Sequence, residues 1–213
     1  SIVAAGFGAD FSISAIIIMG MANLVADAIS MGLGEFLSSF FENKYILAER
    51  SKEEYEYNNN FMYEKIEMIE LLNTKGISNE DSEEIVSIIS KPEYKNFFLE
   101  LMVQYELGLN VPEQDFFKNN IKQGAVTFAS FMLFGFTPVL PYIICFSDGY
   151  ENKTRIFIID CFVTILTMFV LGFSQAILTK QDKFKYGAIM CGNGSIAALA
   201  AFLIGYGLES ALS

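Results

Sequence analysis

From Phe11 to Phe41 the chain reads FSISAIIIMGMANLVADAISMGLGEFLSSFF, a run whose only charges are Asp27 and Glu35. At about 1.5 Å per residue a helix of this length crosses the hydrocarbon core of a bilayer. Polar and charged positions then dominate until about residue 122. Three further apolar stretches follow, at 123–147, 156–179 and 186–211, each long enough to span. Pro138 and Pro141 predict a kink in the first of them. The opening SIVAAGFGADFS has the small, apolar character of the end of a helix, so the first membrane helix is expected to be truncated at its start; it is too short for a cleavable signal. Apolar and polar positions segregated in this way predict an all-α polytopic membrane protein with a helical insert.

Within the insert, neither Pro nor Gly interrupts Phe41 to Tyr57, so the membrane helix is expected to continue into water as one rod. Asn58, Asn59 and Asn60 predict a turn. FMYEKIEMIELLNTK then carries Ile66, Ile69 and Leu72 at helical spacing, with Gly76 as the stop. Ser78 followed by Asp81 reads as a capping box opening a short helix to about Ser90, and Pro92 starts another that ends at Gly108. The expected division is 1–41 (membrane), 42–122 (acidic helical metal-binding domain) and 123–213 (three more membrane helices).

Composition narrows the chemistry. The chain is 53% hydrophobic with a mean hydropathy of +0.38, high for a protein in water. Its net charge of −11 argues against nucleic acid, whose phosphates require Lys and Arg. Seventeen of the 25 acidic residues fall between Glu42 and Asp115, which makes the insert the acidic part. With no histidine, a Ser-His-Asp triad and any imidazole metal site are excluded. Cys145, Cys161 and Cys191 stand singly in apolar stretches and read as small core residues. Lys180, Lys183 and Lys185 between the last two spans agree weakly with a cytoplasmic insert under the positive-inside rule.

On a continuous helix Asp27, Met31, Glu35, Glu42, Glu49, Glu53 and Glu56 project onto an arc of roughly 80°, over roughly 44 Å of axis. A solvated face is the ordinary meaning of such a row. Two features favour an ion path. Lys44, Arg50 and Lys52 lie off the arc, leaving like charges one turn apart that a cation would relieve. The row also reaches into the bilayer, where a carboxylate costs about 2.5–3.5 kcal/mol and needs a partner or a function. In the insert, Glu64, Glu67 and Glu70 recur at three-residue steps, and Glu100, Met102 and Glu106 share the last helix, which antiparallel packing would bring to Glu53 and Glu56. Carboxylates with an occasional thioether suit Fe²⁺, Mn²⁺ or other hard divalent ions and leave iron and manganese undecided. Asp160 reads as an interfacial ion pair with Arg155 and receives no role.

ANLVADAISMGLGEFLSS, the acidic rod, the KGIS turn, FFLELMVQYELGL and the later PVLPY occur in an order and at spacings that resemble the vacuolar iron transporter family over essentially the whole chain. The resemblance implies a homodimer of five-helix subunits in a vacuolar or other endomembrane, with a cytoplasmic three-helix domain and no permanently bound cofactor. It implies a transporter, not an enzyme, whose cargo is Fe²⁺, moved from cytosol into a vacuole-like compartment in exchange for protons. It also implies Glu53, Glu56, Glu64, Glu67, Met102 and Glu106 as metal ligands, with Asp27, Met31 and Glu35 on the translocation path. Val103 stands where relatives often have a second methionine and Asn23 where some have a carboxylate, so metal preference is open to change. The family's first-helix aspartate is expected before this chain begins. Two rival readings are a membrane-tethered metal buffer or sensor without transport, and a ferritin-like oxidase, which the absence of an ExxH motif disfavours.

Overall fold

The computed structural model describes residues 2–112, 115–147 and 152–212. Its helices are α1 (Ile2–Gly8), α2 (Ile13–Asn59), α3 (Phe61–Thr74), α4 (Asn79–Ile89), α5 (Lys95–Tyr105, entered through a 3₁₀ turn at Pro92–Tyr94), α6 (Phe116–Gly135), α7 (Leu140–Ser147), α8 (Lys153–Leu178) and α9 (Lys183–Leu212). There is no strand among the described residues. The chain is an all-α polytopic membrane protein. Helices α2, α8 and α9 are each long and apolar enough to cross a membrane, and α6 with α7 forms a fourth candidate span bent by 46°. The bend falls where the prolines predict it, because Pro141 has no N–H to offer and Pro138 cannot continue the helix before it.

The chain forms two compact units, one of Ser1–Leu33 with Gly124–Ser213, the other of Gly34–Gln123. In the first, Ile16, Gly20, Leu24, Ala28 and Gly32 form a buried stripe along α2. A Cβ at Gly20 would stand 3.2 Å from the Val139 side chain and one at Gly32 2.9 Å from Phe128. Helices α8 and α9 pack backbone to backbone: a Cβ at Gly172 would lie 2.7 Å from the Tyr186 carbonyl. Gly205 has the Ala5 backbone against it and Gly194 the Met168 side chain, so both let α9 pack closely within the chain; Gly192 has no other group of the chain near it. Lys153 donates to Asp10 at 2.8 Å, joining the α1–α2 turn to the start of α8. Apolar side chains such as Ile18, Leu33, Phe162 and Ile196 point outward at 56–73% exposure, as a bilayer-facing surface requires.

The second unit has its own core, in which Tyr57, Met68, Leu72, Val86, Phe98, Leu99 and Met102 bury one another. The Ser78 side chain accepts from the Asp81 backbone N–H at 3.2 Å and caps α4 as the sequence predicts. Gly76, at φ +94°, ends α3 in a conformation that side-chain-bearing residues rarely adopt. Arg50 donates to Asn96 at 3.0 Å, and Lys95 donates to Glu54 at 2.7 Å and to Asn58 at 3.1 Å, fastening α5 along the end of α2.

Candidate metal centre

Helix α2 ends at Asn59, the backbone leaves helical geometry at Asn60 (φ −131°, ψ 38°), and α3 begins one residue later. This break folds α3 back beside the end of α2. Residues three apart share a helix face, so Glu53 and Glu56 on α2 look towards Glu64 and Glu67 on α3. Glu53, Glu56 and Glu64 each bring a carboxylate oxygen within 4.8 Å of the other two. An ion with metal–oxygen bonds of about 2.1 Å spans about 4.2 Å between opposite ligands. Small side-chain rotations therefore suffice to close these oxygens on a divalent cation.

Burial distinguishes the members. Glu53 and Glu64 are only 5% and 1% exposed, and one carboxylate oxygen of each, Oε2, has no hydrogen-bond partner. Glu56 is exposed and Glu67 half-buried. A buried carboxylate without a donor is costly, and it either takes up a proton or receives a cation. Burial first, then repulsion from Glu106, Glu64, Glu56 and Glu67, pushes the Glu53 carboxyl up to about 7. Glu64 is likewise pushed to about 7 by burial and by Glu67, Glu56 and Glu106. Glu106, which follows α5, is raised by desolvation and by Glu67 and Glu56, although its residue as a whole is exposed. Five carboxylates thus share one field, and among the described residues no ion pair is made by any of them.

Met102 lies one turn before Glu106 and is fully buried in the core of this unit with Met68, Phe98 and Leu99. Its place is that of a core residue directly preceding the acidic cluster. Met68, beside Glu67 and equally buried, went unnoticed in the sequence, since a methionine at helical spacing reads as filler. Glu70 and Glu100 are exposed and outside the cluster. Sequence spacing also treats Glu53 and Glu54 alike, whereas Glu54 pairs with Lys95 and is held below the usual carboxylate range by it. Further back on α2 the acidic row is not free of cations: Lys52 reaches Glu49 at 2.7 Å, contrary to its expected position off that face.

Along α2, Asp27 and Met31 of the first unit and Glu35 at the start of the second are exposed. They run beside the buried stripe of Leu24, Ala28 and Gly32, offset by three residues from each. Asn23 donates to Asp27 at 2.6 Å, so the residue standing where some relatives have a carboxylate holds the intramembrane acid by a hydrogen bond. Asp160 departs from its expected place in an interfacial ion pair: it is 5% exposed and accepts a bond from the Thr164 hydroxyl at 3.1 Å.

The VIT family profile matches residues 1–206. A vacuolar iron transporter of Toxoplasma gondii is 38% identical over 209 residues, covering 96% of this chain and 68% of that protein. One of Plasmodium falciparum is 37% identical over 216 residues, covering the whole of this chain and 78% of that protein. Vacuolar iron transporter 1 of Arabidopsis thaliana is 28% identical over 204 residues, covering 95% and 77% respectively.

Proposed function

The chain belongs to the VIT family, and from that premise we propose that it carries Fe²⁺ from the cytosol into a vacuole-like compartment in exchange for protons. The observation that carries this reading is the meeting of Glu53, Glu56 and Glu64, two of them buried with unpartnered oxygens. Such a cluster has two ways to lower its energy, protonation or a divalent cation, and it changes between them near neutral pH. Glu67 and Glu106 complete its field, with Met102 below them as the sixth ligand of the proposed set. Five carboxylates with one thioether suit Fe²⁺ and also Mn²⁺.

In this reading the acidic domain faces the cytoplasm and gathers the ion. Asp27, Met31 and Glu35 then conduct it, Asp27 exchanging metal for protons. These three are exposed on a single chain, and a carboxylate facing lipid costs about 2.5–3.5 kcal/mol at mid-bilayer. A homodimer that covers the row with a second copy removes that cost. Iron is the cargo, and no resident cofactor enters the scheme; the protein acts as a transporter and not as an enzyme.

The test is Fe²⁺ uptake into proteoliposomes containing the full-length protein, with and without a pH gradient, beside a variant with Glu53, Glu56, Glu64 and Glu67 changed to alanine. Gradient-dependent uptake, reduced in the variant, is expected. Iron binding with no uptake in the parent protein would replace transport with a buffer or sensor. Asp27→Asn should abolish proton-coupled flux; flux that survives it removes Asp27 from the exchange step.

A further inference from the structure

The membrane unit contains a second acidic feature that the metal path leaves unused. Asp160 lies on α8 about 10 Å along the axis from its start at Lys153. It lines an open cavity of about 350 Å³ between α1, α8 and α9, together with Pro138 between α6 and α7. Most of the lining is apolar. The polar exceptions are Asp160, Thr164, Ser195, Cys161 and Cys191.

Three observations bear on what this cavity takes. First, among the described residues the Thr164 hydroxyl is the one group bonded to Asp160, and it occupies Oδ1 alone. A carboxylate can accept several bonds, so Asp160 keeps acceptor capacity for a further partner. Second, Tyr142 on α7 is fully buried with its hydroxyl unpartnered, and it lies within electrostatic reach of Asp160. An orphaned hydroxyl close to Asp160, and an acid and two hydroxyls lining a cavity of this size, give water polar partners there. Third, the donor set is wrong for a hard divalent cation. Such ions take about six oxygens, whereas here there is one carboxylate with two hydroxyls, and among the described residues no cluster of three metal-binding groups includes Asp160. A proton needs one oxygen.

We propose that the Asp160 cavity is a proton-binding site of the membrane unit, separate from the row of Asp27, Met31 and Glu35. Water in the cavity brings the proton as hydronium; it passes to a carboxylate oxygen of Asp160, leaving neutral water and a carboxylic acid. The charge of the acid is thereby removed from the low-dielectric interior, which gives the bound proton its stability. Among the described residues, Cys161 on the same helix and Cys191 on α9 are the other titratable groups lining the cavity, Tyr142 on α7 lies within electrostatic reach, and α1 contributes Val3 and Ala4 to the lining; the amino group at the start of the chain also acts on Asp160. The inference rests on the proton-exchange reading above and deepens it by adding, beside Asp27, a second residue through which the proton passes.

The experiment measures two activities of the full-length protein in proteoliposomes. One is Fe²⁺ uptake driven by a pH gradient, with proton movement followed by a trapped pH dye. The other is exchange of radioactive Fe²⁺ for unlabelled Fe²⁺ with no gradient, which needs the metal path but no net proton movement. Asp160→Asn should lose gradient-driven uptake by at least about tenfold while exchange stays within about twofold of the parent. Asp160→Glu, which keeps a titratable oxygen, should recover coupled uptake. If Asp160→Asn moves as many protons per iron as the parent, the proposal is overturned. If both variants lose exchange as well, Asp160 is a structural residue and the proposal also fails. Absence of any gradient dependence in the parent would sink the antiport reading itself, a result distinct from the other two.

Discussion

At the scale of single residues, the decisive distinction is between Glu53 and its neighbour Glu54. Both are glutamates on the same turn of α2, yet Glu54 has a lysine 2.7 Å away and Glu53 has only other acids around it. The consequence for stability follows from the direction of the shift. Glu53 and Glu64 keep their protons in the fold up to about pH 7, whereas an unfolded chain loses them near the ordinary value of 4.5. Their contribution therefore favours the fold fully below about 4.5 and is lost as pH rises through about 7. Hydrogen exchange across α2, α3 and α5 in the metal-free protein is expected to accelerate, beyond its intrinsic pH dependence, between about pH 5 and pH 8. Glu53→Gln should flatten this dependence and stabilise the metal-free domain at pH 8 by about 1–3 kcal/mol, while weakening Fe²⁺ binding. If the substitution destabilises the domain at pH 8, the carboxylate is satisfied by something other than a cation.

At the scale of elements, much of the arrangement was legible from local signals. The unbroken run through Phe41 became part of one 47-residue helix, the asparagine run became the break before α3, and Ser78 capped α4 as its spacing predicts. Such features depend on nearest neighbours along the chain, which sequence contains. Which glycines meet which helices depends on packing, and there the sequence was silent. Gly205 faces α1 and Gly172 faces α9, although nothing in their local context tells a packing glycine from an idle one such as Gly192. Gly172→Val should force α8 and α9 apart, because its Cβ would already lie 2.7 Å from the Tyr186 carbonyl. A loss of about 1–3 kcal/mol is expected, read as a lower thermal midpoint in detergent. Gly192→Val, facing open space, is the matched control and should change little.

At the scale of the whole molecule, the exposed row of Asp27, Met31 and Glu35 makes the strongest demand, because a lone chain would leave two carboxylates facing lipid or headgroups. Photobleaching of singly labelled protein in vesicles is expected to proceed in two steps, one for each copy of a dimer. A majority of single steps would leave the row uncovered and remove it as a conduction path.

The amino-acid sequence by itself determined the alternation of apolar spans with an acidic helical insert, the turn and cap positions within that insert and the residue types able to hold a hard cation, although α6 begins at Phe116, ahead of the apolar stretch at 123–147. Each of these follows from composition and from spacing along one helix. Tertiary structure decided which acids matter. It buried Glu53 and Glu64, gave Glu54 a lysine partner from α5, left Glu70 and Glu100 in solvent and buried Asp160 beside a cavity. The physical reason is that a carboxylate's cost and its chemistry are set by what surrounds it in space, and residues from different helices meet only when the chain has folded.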